Sequence, residues 1–266
     1  MRALLTGAGN MGRAMHAALD TRGDEVAAML GRGPRPSPRS IGPVDVAFEF
    51  SAAQALLDNV RFAAQAGARV MVIGTTGWAQ EPGTAAELTR IVNDSDMRAV
   101  VGPTFSLGVV LFTALAEEAA RHFGAFPEYD PYVLEWHRRS KVDRPSGTAL
   151  AIADRLLPNL PAKRRARLAD GSGAPDPDTL EVVSLRAGAS SGMHLVGFDA
   201  PGESIELRIT ARDRSAYVSG ALLAADRLLA QTDRSAGIIS FEGLVHETLA
   251  VTPATPTVDQ ATLAVA

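Results

Sequence analysis

The sequence predicts an α/β protein: a parallel sheet covered by helices on both faces, followed by a smaller α+β unit with a mixed or antiparallel sheet. Three observations carry this expectation. Short apolar runs alternate with helical patterns from residue 2 to about 123, the texture of successive βαβ units. The run Ala68–Ile73 (ARVMVI) is continuously apolar, as a strand buried on both faces of a parallel sheet must be. From about residue 180 strand patterns follow one another closely, and Ile205–Thr210 (IELRIT) alternates apolar and polar, which predicts one exposed face.

The chain has 266 residues, enough for one large or two modest domains. Its net charge of -4 argues against broad nucleic-acid binding, which needs a basic face. Cysteine is absent, which excludes disulfides, a thiol nucleophile and a thiolate zinc site and fits a cytoplasmic protein. The N-terminal apolar run is too short for a signal peptide, and no window approaches the roughly 18 apolar residues of a membrane span.

The first strand is expected at residues 2–6 (RALLT). Gly7, Ala8, Gly9, Asn10, Met11 and Gly12 follow, and Arg13–Thr21 reads as a helix. A strand, G-x-G-x-x-G and a helix in that order make the dinucleotide site of a Rossmann fold. Gly7 permits the tight turn, Gly9 lets a pyrophosphate approach the backbone, and Gly12 lets helix and strand pack closely. An ordinary strand–helix turn is the alternative. The second strand is expected at Glu25–Leu30. No acidic residue for ribose hydroxyls stands near its end; the chain reads Gly31-Arg32-Gly33-Pro34-Arg35 instead. Arginine pairs well with a 2′-phosphate, so Arg32 predicts NADPH; a solvated basic loop is the alternative.

Pro34, Pro36, Pro38 and Pro43 argue against a helix before the third strand, Asp45–Phe50 (DVAFEF). Ser51 is a candidate N-cap for a helix reaching about Ala66, and Phe50 and Ser51 are candidates to line the cofactor cleft. Gly74, Thr75 and Thr76 follow the strand ending at Ile73. Gly102, Pro103, Thr104 and Phe105 follow a helix (Thr84–Asn93) and a strand (Arg98–Val101). Both loops lie after parallel strands, where such sheets bind ligands, so both are cofactor-site candidates.

A long apolar helix is expected over Leu107–Phe123 and a strand over Tyr132–Trp136. That strand delivers Glu135–Ala149 (EWHRRSKVDRPSGTA), which holds a histidine, several cations and the Pro-Ser-Gly-Thr start of a helix reaching about Leu157. Such a stretch suits an anionic substrate. Residues 161–178 read as a loop, Leu180–Leu185 and Met193–Phe198 as strands, Asp199–Glu203 as a turn, and Tyr217–Ala230 as a returning helix. The expected domains are 1–104 with 215–250 for dinucleotide binding and 105–214 for substrate and oligomerisation. They would hinge near 104–106 and 214–217, and residues 251–266 would form a loosely ordered tail.

These motifs resemble the dihydrodipicolinate reductase (4-hydroxy-tetrahydrodipicolinate reductase) family over nearly all of residues 2–245. The resemblance rests on the glycine loop, FEFS at 48–51, GTTG at 74–77, PTFSLG at 103–108, the 135–149 stretch and RAG…GMH…F…GE between 186 and 203. It departs from the family at Arg138, where a second histidine is usual, at Thr104 in place of asparagine, and at Ile209 in place of a histidine. The resemblance implies reduction of 4-hydroxy-tetrahydrodipicolinate, through dihydrodipicolinate, by NADPH or NADH in lysine and diaminopimelate synthesis. A related reductase of another cyclic imine or oxo acid is the alternative.

The implied reaction needs a proton donor and two carboxylate sites. His137 is the natural donor, the side chain of the stretch whose ordinary pKa lies near neutrality. Lys141 would bind one carboxylate and make the ring more electrophilic. Ser146, Gly147 and Thr148 would meet the other through unpaired helix-start amides, unless Ser146 is only an N-cap. Arg138 is either a carboxylate clamp or points to solvent or a neighbouring subunit. Asp143 is expected to order the loop by pairing with Lys141 or Arg139. No histidine or carboxylate pair has metal-ligand spacing. The family suggests a homotetramer.

Overall fold

The computed structural model describes residues 1–169, 173–231 and 235–251, so nearly all of the expected tail lies outside the described residues. The chain begins β1 (Arg2–Thr6), α1 (Asn10–Arg22), β2 (Glu25–Leu30), α2 (Pro38–Ile41) and β3 (Val46–Glu49). It continues α3 (Leu56–Gln65), β4 (Val70–Ile73), α4 (Thr84–Asp94), β5 (Arg98–Val101) and α5 (Leu107–Phe123). Next come β6 (Asp130–His137), α6 (Gly147–Leu156), β7 (Arg165–Leu168), β8 (Thr179–Arg186), β9 (Met193–Ala200) and β10 (Glu203–Thr210). Last are α7 (Ser215–Ala230), β11 (Gly237–Ser240) and α8 (Phe241–Val251).

The first sheet is parallel throughout, in the order β11-β5-β4-β3-β1-β2. Strand order reverses between β1 and β3, the crevice where open α/β sheets bind ligands. The strands are apolar on both faces because both are covered. Leu5, Phe48 and Val72 pack with Met15, Val218 and Phe241 on one side; Leu4, Met71 and Ile73 pack with Val60, Leu88 and Ile91 on the other. Each such buried side chain contributes about 1.5–3 kcal/mol.

The second sheet runs β10-β9-β6-β8-β7 and is mixed. β8 is parallel to both β6 and β7, whereas β9 is antiparallel to β6 and β10. One face packs on α5 and α6 through Val133, Val182, Phe198, Phe112 and Ile152. No helix among the described residues is long and apolar enough to cross a membrane.

Four expectations need correction. The proline-rich segment does carry one helical turn, α2, because Pro38 stands in its first turn, where a missing N–H costs nothing, and Ser37 caps it. Ser51 is not an N-cap: a 3-10 turn at Ala53–Ala55 precedes α3, and the Ser51 hydroxyl donates to Glu49. The 161–178 segment contains β7, an edge strand of alternating polarity (RARL) with too few apolar residues to announce itself. β11 and α8 complete the first sheet and cover it, and neither was expected as a separate element.

Candidate active site

The glycine loop follows β1 at the switch point, and its glycines differ in what they do. A Cβ on Gly7 would lie 2.3 Å from the Phe50 carbonyl oxygen, and one on Gly12 would lie 1.8 Å from the Gly7 carbonyl oxygen. Gly7, at φ +105°, and Gly12 therefore let β1, β3 and α1 close on one another. Gly9 has open space where a Cβ would stand, and α1 has no side-chain cap at its N-terminus. An uncapped helix start beside an open glycine is the cradle that a pyrophosphate requires. The residues present thus fit a dinucleotide.

A cleft of about 1640 Å³ opens beside this loop. Asn10, Met11, Thr76, Gly102, Pro103 and Thr104 line it from the first sheet's side. His137, Arg138, Lys141, Ser146, Gly147 and Thr148 line it from the second's. Arg212 and Arg214 line it too; neither guanidinium has a hydrogen-bond partner among the described residues, and sequence spacing gave no sign of them.

The other cofactor-site candidates lie behind or beside this cleft. The Phe50 ring fills the space over Gly74, where a Cβ would lie 2.5 Å from it. The Phe105 side chain is in the core against Phe241, with ring centroids 4.8 Å apart, and its carbonyl packs against Gly220, so Phe105 lies behind the cleft. Ala8 accepts a hydrogen bond from Arg13 through its carbonyl. Arg32 is exposed just after β2 with no side-chain partner among the described residues.

Thr75 and Ser51 both turn toward Glu49, a wholly buried carboxylate at the end of β3. Glu49 accepts from the Thr75 hydroxyl at 2.9 Å, the Ser51 amide at 3.0 Å, Asn59 Nδ2 at 2.8 Å, and the Thr6 and Ser51 hydroxyls. One carboxylate therefore ties β1, α3 and the loops after β3 and β4 together beneath the cofactor crevice. An acid at an otherwise apolar strand position was the only hint of it in the sequence.

The second half of the site is built on β6. Alternation along the strand puts Val133, Glu135 and His137 on the covered face and Trp136 on the other. Register brings Ser184 opposite Glu135 and Arg186 opposite His137 from β8, and His194 opposite Glu135 from β9. Glu135 has no exposed surface. Its Oε1 accepts from the Ser146 amide at 2.9 Å, the Ser184 hydroxyl at 2.7 Å and Arg186 at 2.8 Å. Its Oε2 lies 3.1 Å from His137 Nδ1, off the line of a hydrogen bond. Burial opposes ionisation of this carboxyl, but His137, Ser146, Ser184 and Arg186 together outweigh burial and hold its pKa well below the usual carboxylate range.

His194 lies edge-on to His137, with ring centroids 5.2 Å apart. Burial, assisted by the charges of His137, Lys141 and Arg186, lowers its pKa to about 4 against the opposing pull of Glu135. His194 is therefore neutral at physiological pH. Glu135, His137 and His194 bring ligand-type atoms within 4.8 Å of one another, a convergence that no local spacing shows because it joins two strands. Arg186 already pairs with Glu135, and Lys141 is close by, so the surroundings suit a proton better than a metal cation.

Lys141 Nζ donates to Asp143 at 2.8 Å, which leaves two of its three N–H bonds for a ligand. That contact, opposed by desolvation, lowers the Asp143 pKa. The Asp143 carbonyl in turn accepts from Arg186, so this acid orders the loop as expected. Ser146 is the N-cap of α6, its hydroxyl accepting from the Ala149 amide at 3.2 Å. The Gly147 and Thr148 amides have no acceptor among the described residues and border the cleft. Arg138 is anchored through its backbone, its amide donating to the Ser190 carbonyl and its carbonyl accepting from the Lys141 amide, and its side chain is exposed at the cleft edge.

Comparison with known proteins agrees with this arrangement. The family model described as Dihydrodipicolinate reductase, N-terminus matches residues 1–105, and that described as Dihydrodipicolinate reductase, C-terminus matches residues 108–244. The chain is 35% identical over 185 residues to a 4-hydroxy-tetrahydrodipicolinate reductase of Methanocaldococcus jannaschii, covering 68% of this chain and 64% of that protein. It is 36% identical over 193 residues to the enzyme of the same name from Methanopyrus kandleri, covering 72% and 69%. The matched stretch thus spans about two thirds of the curated relatives' length. Among solved structures, dihydrodipicolinate reductase from Paenisporosarcina sp. TG-14, with dipicolinate bound, superposes with a TM-score of 0.68 over 92% of this chain and 99% of that one, at 21% identity, which speaks to the fold. With both halves of the chain matched and the glycine loop and the 135–149 stretch facing one cleft, the chain belongs to the dihydrodipicolinate reductase family.

Proposed function

We propose that the protein reduces dihydrodipicolinate, formed by loss of water from 4-hydroxy-tetrahydrodipicolinate, to tetrahydrodipicolinate in lysine and diaminopimelate synthesis. The observation that carries this reading is convergence. A proton donor (His137), a partly unpaired ammonium (Lys141) and two free helix-start amides (Gly147, Thr148) line the same cleft as Asn10, Met11 and Gly102–Thr104. When bound, NADPH or NADH supplies a hydride to one carbon of the conjugated cyclic imine and leaves as the oxidised nucleotide.

The chain's own residues do the rest. His137 gives a proton to the neighbouring ring carbon and regains one from solvent, so hydride and proton together saturate one double bond. Lys141 and the α6 start hold the two carboxylates, the latter through unpaired amides and the helix dipole. The Ser146 hydroxyl keeps its hydrogen for the same carboxylate while capping the helix. Arg138, Arg212 and Arg214 add positive charge at the rim, which draws in a dicarboxylate and the nucleotide phosphates. Gly7–Gly12 cradle the pyrophosphate and Arg32 takes a 2′-phosphate. Phe50, Ser51, Gly74–Thr76 and Gly102–Phe105 shape the floor and the nicotinamide end, those turned inward acting through backbone and packing.

Residues 1–104 with 215–250 form the nucleotide domain and 105–214 the substrate domain. Closure at hinges near 104–106 and 214–217 would exclude water from the reacting carbons. The face of the second sheet away from α5 and α6 carries Tyr132, Leu134 and Trp136, with Leu185 48% exposed, and supports a homotetramer built on that face. Light scattering that gives a monomer would remove this assembly. The absence of cysteine agrees with a cytoplasmic enzyme.

The test is a coupled assay in which aspartate semialdehyde, pyruvate and the preceding synthase generate the substrate, with each nucleotide in turn. Oxidation of NADPH above background is expected, and His137→Gln should lower kcat by about 100-fold or more without weakening nucleotide binding. No oxidation, with the nucleotide bound normally, would point to a different cyclic imine or oxo acid.

A further inference from the structure

Glu135 is wholly buried, carries a negative charge, and has no place in the chemistry above. We infer that Glu135 is a positioning residue governing both halves of the substrate site. Its Oε2 determines which nitrogen of His137 carries the transferable proton, and its Oε1 anchors the start of α6. The kinetic consequence rests on the proposed reaction; the structural consequence, the tautomer of His137, does not.

The two oxygens are engaged differently. Oε1 is saturated by the Ser146 amide, the Ser184 hydroxyl and Arg186. A carboxylate present only to neutralise Arg186 would turn both oxygens to its partners. Here Oε2 makes no hydrogen bond and faces His137 Nδ1 at 3.1 Å. A carboxylate against Nδ1 requires that nitrogen to keep its hydrogen, so Nε2 gains and releases the second proton. Nε2 faces Gly192, where a Cβ would come within 3.0 Å of it, and that missing side chain keeps the donor nitrogen uncovered.

The remaining charged or titratable groups around the ring are accounted for. His194, from β9, is buried and neutral; Lys141, in the loop, is paired with Asp143; Arg186, on β8, is paired with Glu135. Glu135, on β6 itself, is thus the counter-charge that an imidazolium at His137 meets. Through Ser146 the same carboxylate fixes the residue that caps α6, and so the aim of the Gly147 and Thr148 amides. One buried group thereby sets the proton donor and the carboxylate clamp in register.

The experiment uses the full chain. Nitrogen-15 imidazole spectra, assigned by the signal lost in His137→Gln, should show neutral His137 as the Nδ1–H tautomer. In Glu135→Gln the amide oxygen keeps the three donors of Oε1, so the amide N–H faces Nδ1 and the ring should switch to Nε2–H. In the coupled assay, Glu135→Gln should lower kcat at alkaline pH by about tenfold or more and move the basic limb of the kcat profile to lower pH. Ser184→Ala, which removes one donor and keeps the charge, should lower thermal stability without moving that limb. An Nε2–H ring in the parent overturns the inference, as does a Glu135→Gln basic limb that coincides with the parent's. Should Glu135→Gln not fold, the parent tautomer decides alone. Should the parent not turn over the dicarboxylate, the proposed reaction fails while the tautomer still decides this inference.

Discussion

Glu49→Gln tests whether one buried carboxylate holds the cofactor crevice together. The side chain accepts five hydrogen bonds from four residues. Glutamine keeps the size and one oxygen. If that oxygen stays with the Ser51 and Thr75 donors, those three bonds survive but lose the charge. The new NH₂ then faces Thr6 and Asn59. The Thr6 hydroxyl can turn to accept, because the Phe48 carbonyl at 3.2 Å takes its hydrogen. Asn59 Nδ2 cannot: it keeps Ser51 Oγ at 2.9 Å but meets an N–H where it had a carboxylate. One thwarted buried donor costs about 1–3 kcal/mol, and losing the charge weakens the other bonds by a similar sum, partly offset because no charge need be desolvated. The net expectation is a loss of about 2–4 kcal/mol. Urea unfolding followed by far-UV circular dichroism measures it, and nucleotide titration should show weaker NADPH binding because Ser51 and Thr75 lose their anchor. Stability within about 0.5 kcal/mol of the parent, with unchanged NADPH affinity, would refute the reasoning.

Three further outcomes are expected. The His194 pKa falls from 6.5 to about 4 on folding, so the unfolded chain binds more protons in that window; the neutral ring's contribution is intact above pH 6.5 and lost as pH falls toward 4. That linkage is worth about 3 kcal/mol, and His194→Gln should flatten this part of the stability–pH curve; an equally steep curve would remove His194 as its source. Arg32→Ala should raise the Kd for NADPH by about tenfold and leave that for NADH nearly unchanged, and equal effects on both would show that Arg32 does not reach a 2′-phosphate. Gly192→Ala places a Cβ 3.0 Å from His137 Nε2 at a residue with φ +150°, so kcat should fall by about tenfold or more while NADPH binding stays normal; parent-like turnover would mean that Nε2 is not the donor.

Whatever depends on short-range pattern was legible before the chain was folded. The continuous apolar run Ala68–Ile73 becomes the buried strand β4, and the helix expected at Leu107–Phe123 forms over that span because its apolar positions must meet both sheets' cores. The glycine loop was readable because open or crowded backbone positions demand glycine whatever lies elsewhere. The 135–149 stretch was readable because its histidine, lysine and helix start are near neighbours in the chain. Marginal elements were not: β7 is an alternating edge, and β11 is held by pairing with β5 rather than by its own pattern. Nor were the two acids that organise the site. Glu49 draws donors from residues up to 43 positions away, and Glu135 meets Ser184, Arg186 and His194 only because β8 and β9 flank β6 in one register. Local periodicity reports which face of a segment is buried. Which distant donor meets a buried carboxylate is decided by strand order and register, and those exist only once the sheets have formed.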